Sequence, residues 1–165
     1  MDAAAPKLTV ELVPRSCWWS NLRSLADRAT WDRIRRQAYR QAEYRCEICG
    51  GVGLQHRVEC HEVWRYDETT RTQILVRMIA LCPACHEVKH MGLAGNRGRG
   101  KNARAHLAEV NGWSNEQVLA HVAEAFATWR RRSEVSWKLD LAGLQPYVGP
   151  EELAVLLEHA NKDRS

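Results

Sequence analysis

Along the first half of the chain, apolar and polar positions change period several times, and each change predicts an element. Leu8, Val10 and Leu12 alternate with polar residues, which predicts a short strand over 8–13 stopped by Pro14. A helical turn is expected between Ser20 and Asp27. Trp31, Ile34, Ala38 and Ala42 then recur at spacings of three and four, one face of a helix over 31–43. Thr30 is its expected N-cap, with Asp32 in the first turn. Residues 56–64 are rich in valine and aromatic residues and predict a strand. A turn over 66–70 and an apolar run over 72–81 predict its hairpin partner. Pro83 suits a helical first turn, so a helix is expected from there to Gly92, carrying His86 and His90.

The second half reads as a basic glycine-rich loop (95–101) followed by helices. One spans about 102–110 and stops at Asn111-Gly112. Ser114 and Gln117 form a capping box that opens the next, which ends in Arg130, Arg131 and Arg132. Residues 135–141 alternate as a half-buried strand; pairing with 8–13 is one option that nothing in the sequence fixes. A final helix is expected from Pro150 to about Ala160. The class is α+β, in three segments: an N-terminal strand and loop (1–29), a core (30–95), and a basic loop with a helical extension packed on the core (96–165).

Composition narrows the function classes. The chain has 165 residues, a net charge of +4 and a pI near 8.8. That mild basic excess is compatible with nucleic acid as a partner and does not establish it. No run approaches the ~18 apolar residues of a membrane span, and the N-terminus lacks the basic and apolar regions of a secretory signal. A soluble cytoplasmic protein is expected, and its oligomeric state is not visible.

Six cysteines change the picture most. Four fall in two Cys-x-x-Cys pairs, Cys46 with Cys49 and Cys82 with Cys85. Each turn presents two thiolates, and two turns complete a tetrahedral structural Zn2+ site. A redox Cys-x-x-Cys needs only one pair, so the metal reading is the stronger. Cys17 and Cys60 are left over as buried thiols. His86 and His90 share one helix face, and His61 lies on the strand that the zinc ties to that helix. Three such ligands leave open positions on a second divalent ion (Mg2+, Mn2+, Ni2+ or Zn2+). The bland reading of this set is that the rings only buttress the zinc fold; His106, His121 and His159 are read as ordinary core or surface histidines.

The order of Cys-x-x-Cys, then Glu59-x-His61 before an apolar residue, then Leu81-Cys82-Pro83-x-Cys85-His86-x-x-Lys89-His90 resembles the HNH endonuclease family, over roughly residues 30–92. The resemblance implies a ββα-metal, treble-clef-like core: a hairpin and a helix around one catalytic ion, beside a zinc held by four cysteines. It puts the catalytic-ion ligands at His61, His86 and His90 and the general base at Glu62. A one-residue shift would instead put Cys60 at the ligand position and His61 at the base position. The family's middle asparagine would fall near Arg77, and no asparagine is there.

The activity implied is hydrolysis of DNA phosphodiester bonds, with water deprotonated by Glu62 or, in the shifted register, His61. Arg65, Lys89, Arg97, Arg99 and Lys101 are candidate phosphate contacts. Arg33, Arg35, Arg36 and Arg40 are read as a solvated face first and a phosphate-contacting surface second. Trp18 and Trp19 could stack on bases, although packing under a loop is the commoner use. Two competing readings are a catalytically weak or inactive zinc-stabilised nucleic-acid-binding module and a zinc-stapled protein-interaction adaptor.

Overall fold

The computed structural model describes residues 5–163, so the outermost residues of the expected 1–29 and 96–165 segments lie outside it. The helices are α1 (Leu22–Leu25), α2 (Arg28–Gln41), α3 (Pro83–Lys89), α4 (Met91–Asn96), α5 (Gly100–Asn111), α6 (Asn115–Ser133) and α7 (Pro150–Asp163). The strands are β1 (Glu59–Asp67), β2 (Thr72–Leu81) and β3 (Lys138–Asp140), in sheet order β1-β2-β3. The architecture is α+β.

β1 and β2 form the expected antiparallel hairpin, from Glu59 opposite Leu81 to Asp67 opposite Thr72. Val63 pairs with Arg77 but Trp64 pairs with Leu75, so Val76 is an extra residue on β2. This bulge changes the strand's parity. Leu75 and Met78, three apart, therefore face one apolar cluster, with Ile34, Leu141 and Leu156, while Ile79 and Leu81 face another, with Leu8, Val88 and Leu107. Each cluster draws side chains from all three expected segments. Gly143 packs so closely on the bulged strand that a Cβ there would sit 2.2 Å from the Leu75 carbonyl oxygen.

Several expectations are corrected. Residues 8–13 are not a strand. Leu8 and Val10 are buried as expected, but side chains satisfy their backbone: Asn111 Oδ1 accepts from Lys7 N and Leu8 N, Asn111 Nδ2 donates to Leu8 O, and His121 Nε2 accepts from Val10 N. The partner of β3 is β2, in parallel, from Thr72 opposite Lys138 to Ile74 opposite Asp140. α2 begins earlier than expected because Asp27, not Thr30, is its N-cap, accepting from Thr30 N at 2.7 Å. Gly92 does not end the helical region: α4 follows α3 directly, and α5 opens at Gly100, so most of the expected loop is helical. Within 95–101 only Gly98, with φ +73°, takes the left-handed turn that favours glycine. The capping box at Ser114 and Gln117 is formed.

Candidate metal centres and the cleft between α3 and the hairpin

The sulfur atoms of Cys46, Cys49, Cys82 and Cys85 lie within 4.8 Å of one another. Cys49 Sγ and Cys82 Sγ are 3.6 Å apart, near the ~3.8 Å edge expected when four sulfurs surround zinc at about 2.3 Å. Backbone N–H groups aim at these sulfurs: Cys49 N donates to Cys46 Sγ and Cys85 N to Cys82 Sγ, both at 3.5 Å, and Gly51 N donates to Cys49 Sγ at 3.4 Å. Gly50, with φ +74°, closes the first knuckle. Cys82 is the N-cap of α3 and Pro83 opens its first turn. Glu47 joins the two knuckles, donating its N–H to Ala80 O and accepting from Ala80 N at 2.8 Å.

Crowding of the sulfurs also shows in their acidity. Cys46 is pushed down by a hydrogen bond from Cys85, whereas Cys82 is pushed up by burial and Cys85 by its bond to Cys46. Thiolates this close need a cation between them. The donor set, spacing and N–H···S bonds together suit one structural zinc. His106 was expected to be a plain structural histidine, but its Nε2 lies 3.2 Å from Cys85 Sγ, so it supports the sulfur cluster from outside. Cys17 and Cys60 do not join the group.

The second cluster lies at the other end of α3. His61 comes from β1, His86 from the body of α3, and His90 caps its C-terminus. Ring centroids are 5.3 Å apart for His61 with either partner and 4.7 Å for His86 with His90. One ring nitrogen from each falls within a common 4.8 Å set. His86 Nε2 and His90 Nε2 are 3.2 Å apart, close to the ~3.3 Å separation of two imidazoles on one tetrahedral ion at about 2.0–2.1 Å. His61 is buried, and its Nε2 has no hydrogen-bond partner among the described residues. Glu11 Oε2 is 3.5 Å away, near enough for attraction but not for a bond.

A carboxylate holds one of these rings from behind. Glu59 Oε2 bonds His86 Nδ1, and its other oxygen takes His56 at 2.6 Å. Glu59 is held down at about 2, chiefly by the His86 bond against the cost of burial. Glu11 is also held at about 2: burial would raise it, but His61 and the Lys89 ammonium outweigh that. Burial pushes His90 down to about 4, helped by its two histidine neighbours, and pushes His61 down as well. Both rings are therefore neutral at neutral pH, the form that can ligate a metal.

The imidazole cluster opens onto a cleft of about 800 Å³ whose walls include Glu59, Glu62, Arg23, Arg97 and Arg99. Glu62 is pushed up to about 7 by burial, against the hydrogen bonds it accepts from Leu22 N at 2.8 Å and Trp64 Nε1 at 3.3 Å. Cys60 also lines the cleft but is not part of the imidazole group. It packs against the cluster around Ile34 and Leu75, and burial pushes its thiol up to about 12. The one-residue shift that would make Cys60 a ligand is therefore not the arrangement adopted.

The predicted phosphate contacts separate. Arg97 and Arg99 line the cleft, although Arg99 already pairs with Glu87. Arg65 and Lys101 are exposed but lie outside it. Lys89 is removed from the set: it is 5% exposed and its Nζ is taken by Glu11 and Thr9. Arg33 pairs with Glu152 and Arg35 with Asp32, both at 2.7 Å, which favours the solvated-face reading of α2. Arg23, which also lines the cleft, had no signal in the sequence, because nothing local marks an arginine as facing a distant cleft. No family model, no curated protein and no solved structure matches the chain.

Proposed function

We propose that the protein is a metal-dependent DNA endonuclease with a ββα-metal core of the HNH kind. The observation that carries this reading is the set of three imidazoles, His61, His86 and His90, gathered on the floor of an open cleft that also contains Glu62. A structural site closes its coordination sphere with protein ligands, whereas a catalytic one leaves positions for water and substrate.

A divalent ion held by these three rings would supply Lewis-acid stabilisation of charge on the scissile phosphate and the departing 3′ oxygen. Glu59 fixes the tautomer and orientation of His86, as carboxylates behind ligating histidines do. Glu62 accepts the proton of the attacking water; its burial sets it near the neutral range that suits a general base. The two donors on Glu62 fix its position and leave further lone pairs for that proton. Arg97 holds a neighbouring phosphate oxygen, with Arg99 beside it.

The competing reading of a binding module with little or no catalysis is favoured by one observation. Arg77, where the resemblance expects asparagine, is committed to Glu47 at 2.8 Å and sits next to the bulged Val76 on β2. Plasmid nicking with Mg2+, Mn2+, Ni2+ or Zn2+ decides between the two. Nicking that His86→Ala abolishes, with one zinc still bound, supports the nuclease. A salt-sensitive DNA complex without nicking under any of these ions rejects it and leaves the binding module.

A further inference from the structure

Beside the imidazole cleft runs a second groove, of about 840 Å³, which shares Glu62, His90 and Trp64 with it. Its volume falls in the ~300–1,000 Å³ range of sites for small organic groups. The walls are aromatic: Trp18, Trp64, Phe126 and Trp129 all line it. Trp18 is 64% exposed, a large penalty for an indole unless something covers it. Its neighbour Trp19, by contrast, packs against the cluster around Leu22 and Ile34.

We propose that this groove receives an unpaired base of single-stranded DNA whose phosphate lies at the imidazole cluster; the position of that phosphate rests on the nuclease reading. Three features favour a nucleotide over an apolar ligand. The groove is continuous with the site where a phosphate would sit. Arg104 lines the groove, and Arg23 and Arg97 line the adjoining cleft; none of the three pairs with a carboxylate among the described residues. Two indole N–H groups are already committed to Val13 O, from Trp18 at 3.2 Å and Trp129 at 3.1 Å, and the third, of Trp64, to Glu62. These rings therefore offer stacking and van der Waals surface rather than hydrogen bonds, which suits any base. A base attached to a phosphate at the imidazoles reaches the groove only by leaving the duplex stack, so single strands and unpaired junctions are the substrate class.

The test is binding by the full-length, zinc-loaded protein without a second divalent ion, using oligothymidylate and a blunt duplex of equal length at one salt concentration. Oligothymidylate should bind about tenfold more tightly or better, with quenched tryptophan fluorescence. Trp18→Ala should lose about tenfold on the single strand and little on the duplex, while Trp18→Phe keeps most of the affinity. Equal affinity for duplex and single strand overturns the proposal, as does unchanged single-strand affinity in Trp18→Ala. So does a groove that takes a fatty acid which oligothymidylate does not displace. Nicking is read separately. Cleavage without a single-strand preference sinks the groove assignment alone, whereas a single-strand preference without cleavage sinks the nuclease and leaves the groove.

Discussion

The sulfur cluster and the imidazole cluster share α3, yet they are finished in different ways. At the N-terminal end, Cys82 and Cys85 meet two sulfurs from the knuckle at Cys46, and three of the four are buried. Backbone N–H groups brace these sulfurs, so their positions are set by main-chain turns. At the C-terminal end, His86 and His90 meet one ring from β1, and a side-chain carboxylate, Glu59, stands behind His86. Four sulfurs complete a tetrahedron; three rings beside a cleft do not. One short helix thus carries both groups, and under the proposed reading the first would be a closed site that fixes the chain and the second an open one positioned by it.

That contrast predicts a hierarchy of effects. The largest belongs to the sulfurs. Cys82→Ser should release the zinc and, because structural zinc contributes roughly 10–16 kcal/mol in small domains, abolish the cooperative thermal transition. If the variant melts like the parent, the sulfur cluster is not the scaffold. Next comes Glu62→Gln, which keeps the shape and an acceptor oxygen but cannot take a proton. Nicking should fall by about 10²–10⁴-fold with zinc content and melting unchanged. A variant that nicks normally assigns Glu62 to holding α1 through Leu22 and nothing more. The smallest of the three is Glu59→Gln, which weakens the support of His86. Affinity for the second ion should drop about 10–100-fold while the first zinc stays bound. Loss of both ions together would show that the two clusters are not separable.

What the sequence made legible is what short-range chemistry fixes. Cys-x-x-Cys turns, the hairpin and the His86–His90 spacing are local patterns, and each led to the arrangement found. The misread parts depend on partners remote in sequence. Leu8, Val10 and Leu12 alternate like a strand, but Asn111 and His121, more than 100 residues away, take the hydrogen bonds a neighbouring strand would have made. Lys89 resembled a phosphate contact because lysines are usually exposed, and nothing near it announces that Glu11 covers it. Gly92 looked like a helix stop because its neighbours Leu12 and Phe126, both 3.9 Å from where its Cβ would be, are invisible locally. The role of His106 needed the fold to bring α5 against Cys85.

Metal content tests the division between the clusters most directly. After mild chelation and dialysis, the parent protein should retain one zinc, and on titration it should take up one further, exchangeable divalent ion. His86→Ala should keep the first and take up none of the second. A parent that holds one zinc and binds no second ion, or a His86→Ala variant that loses both, would contradict the account.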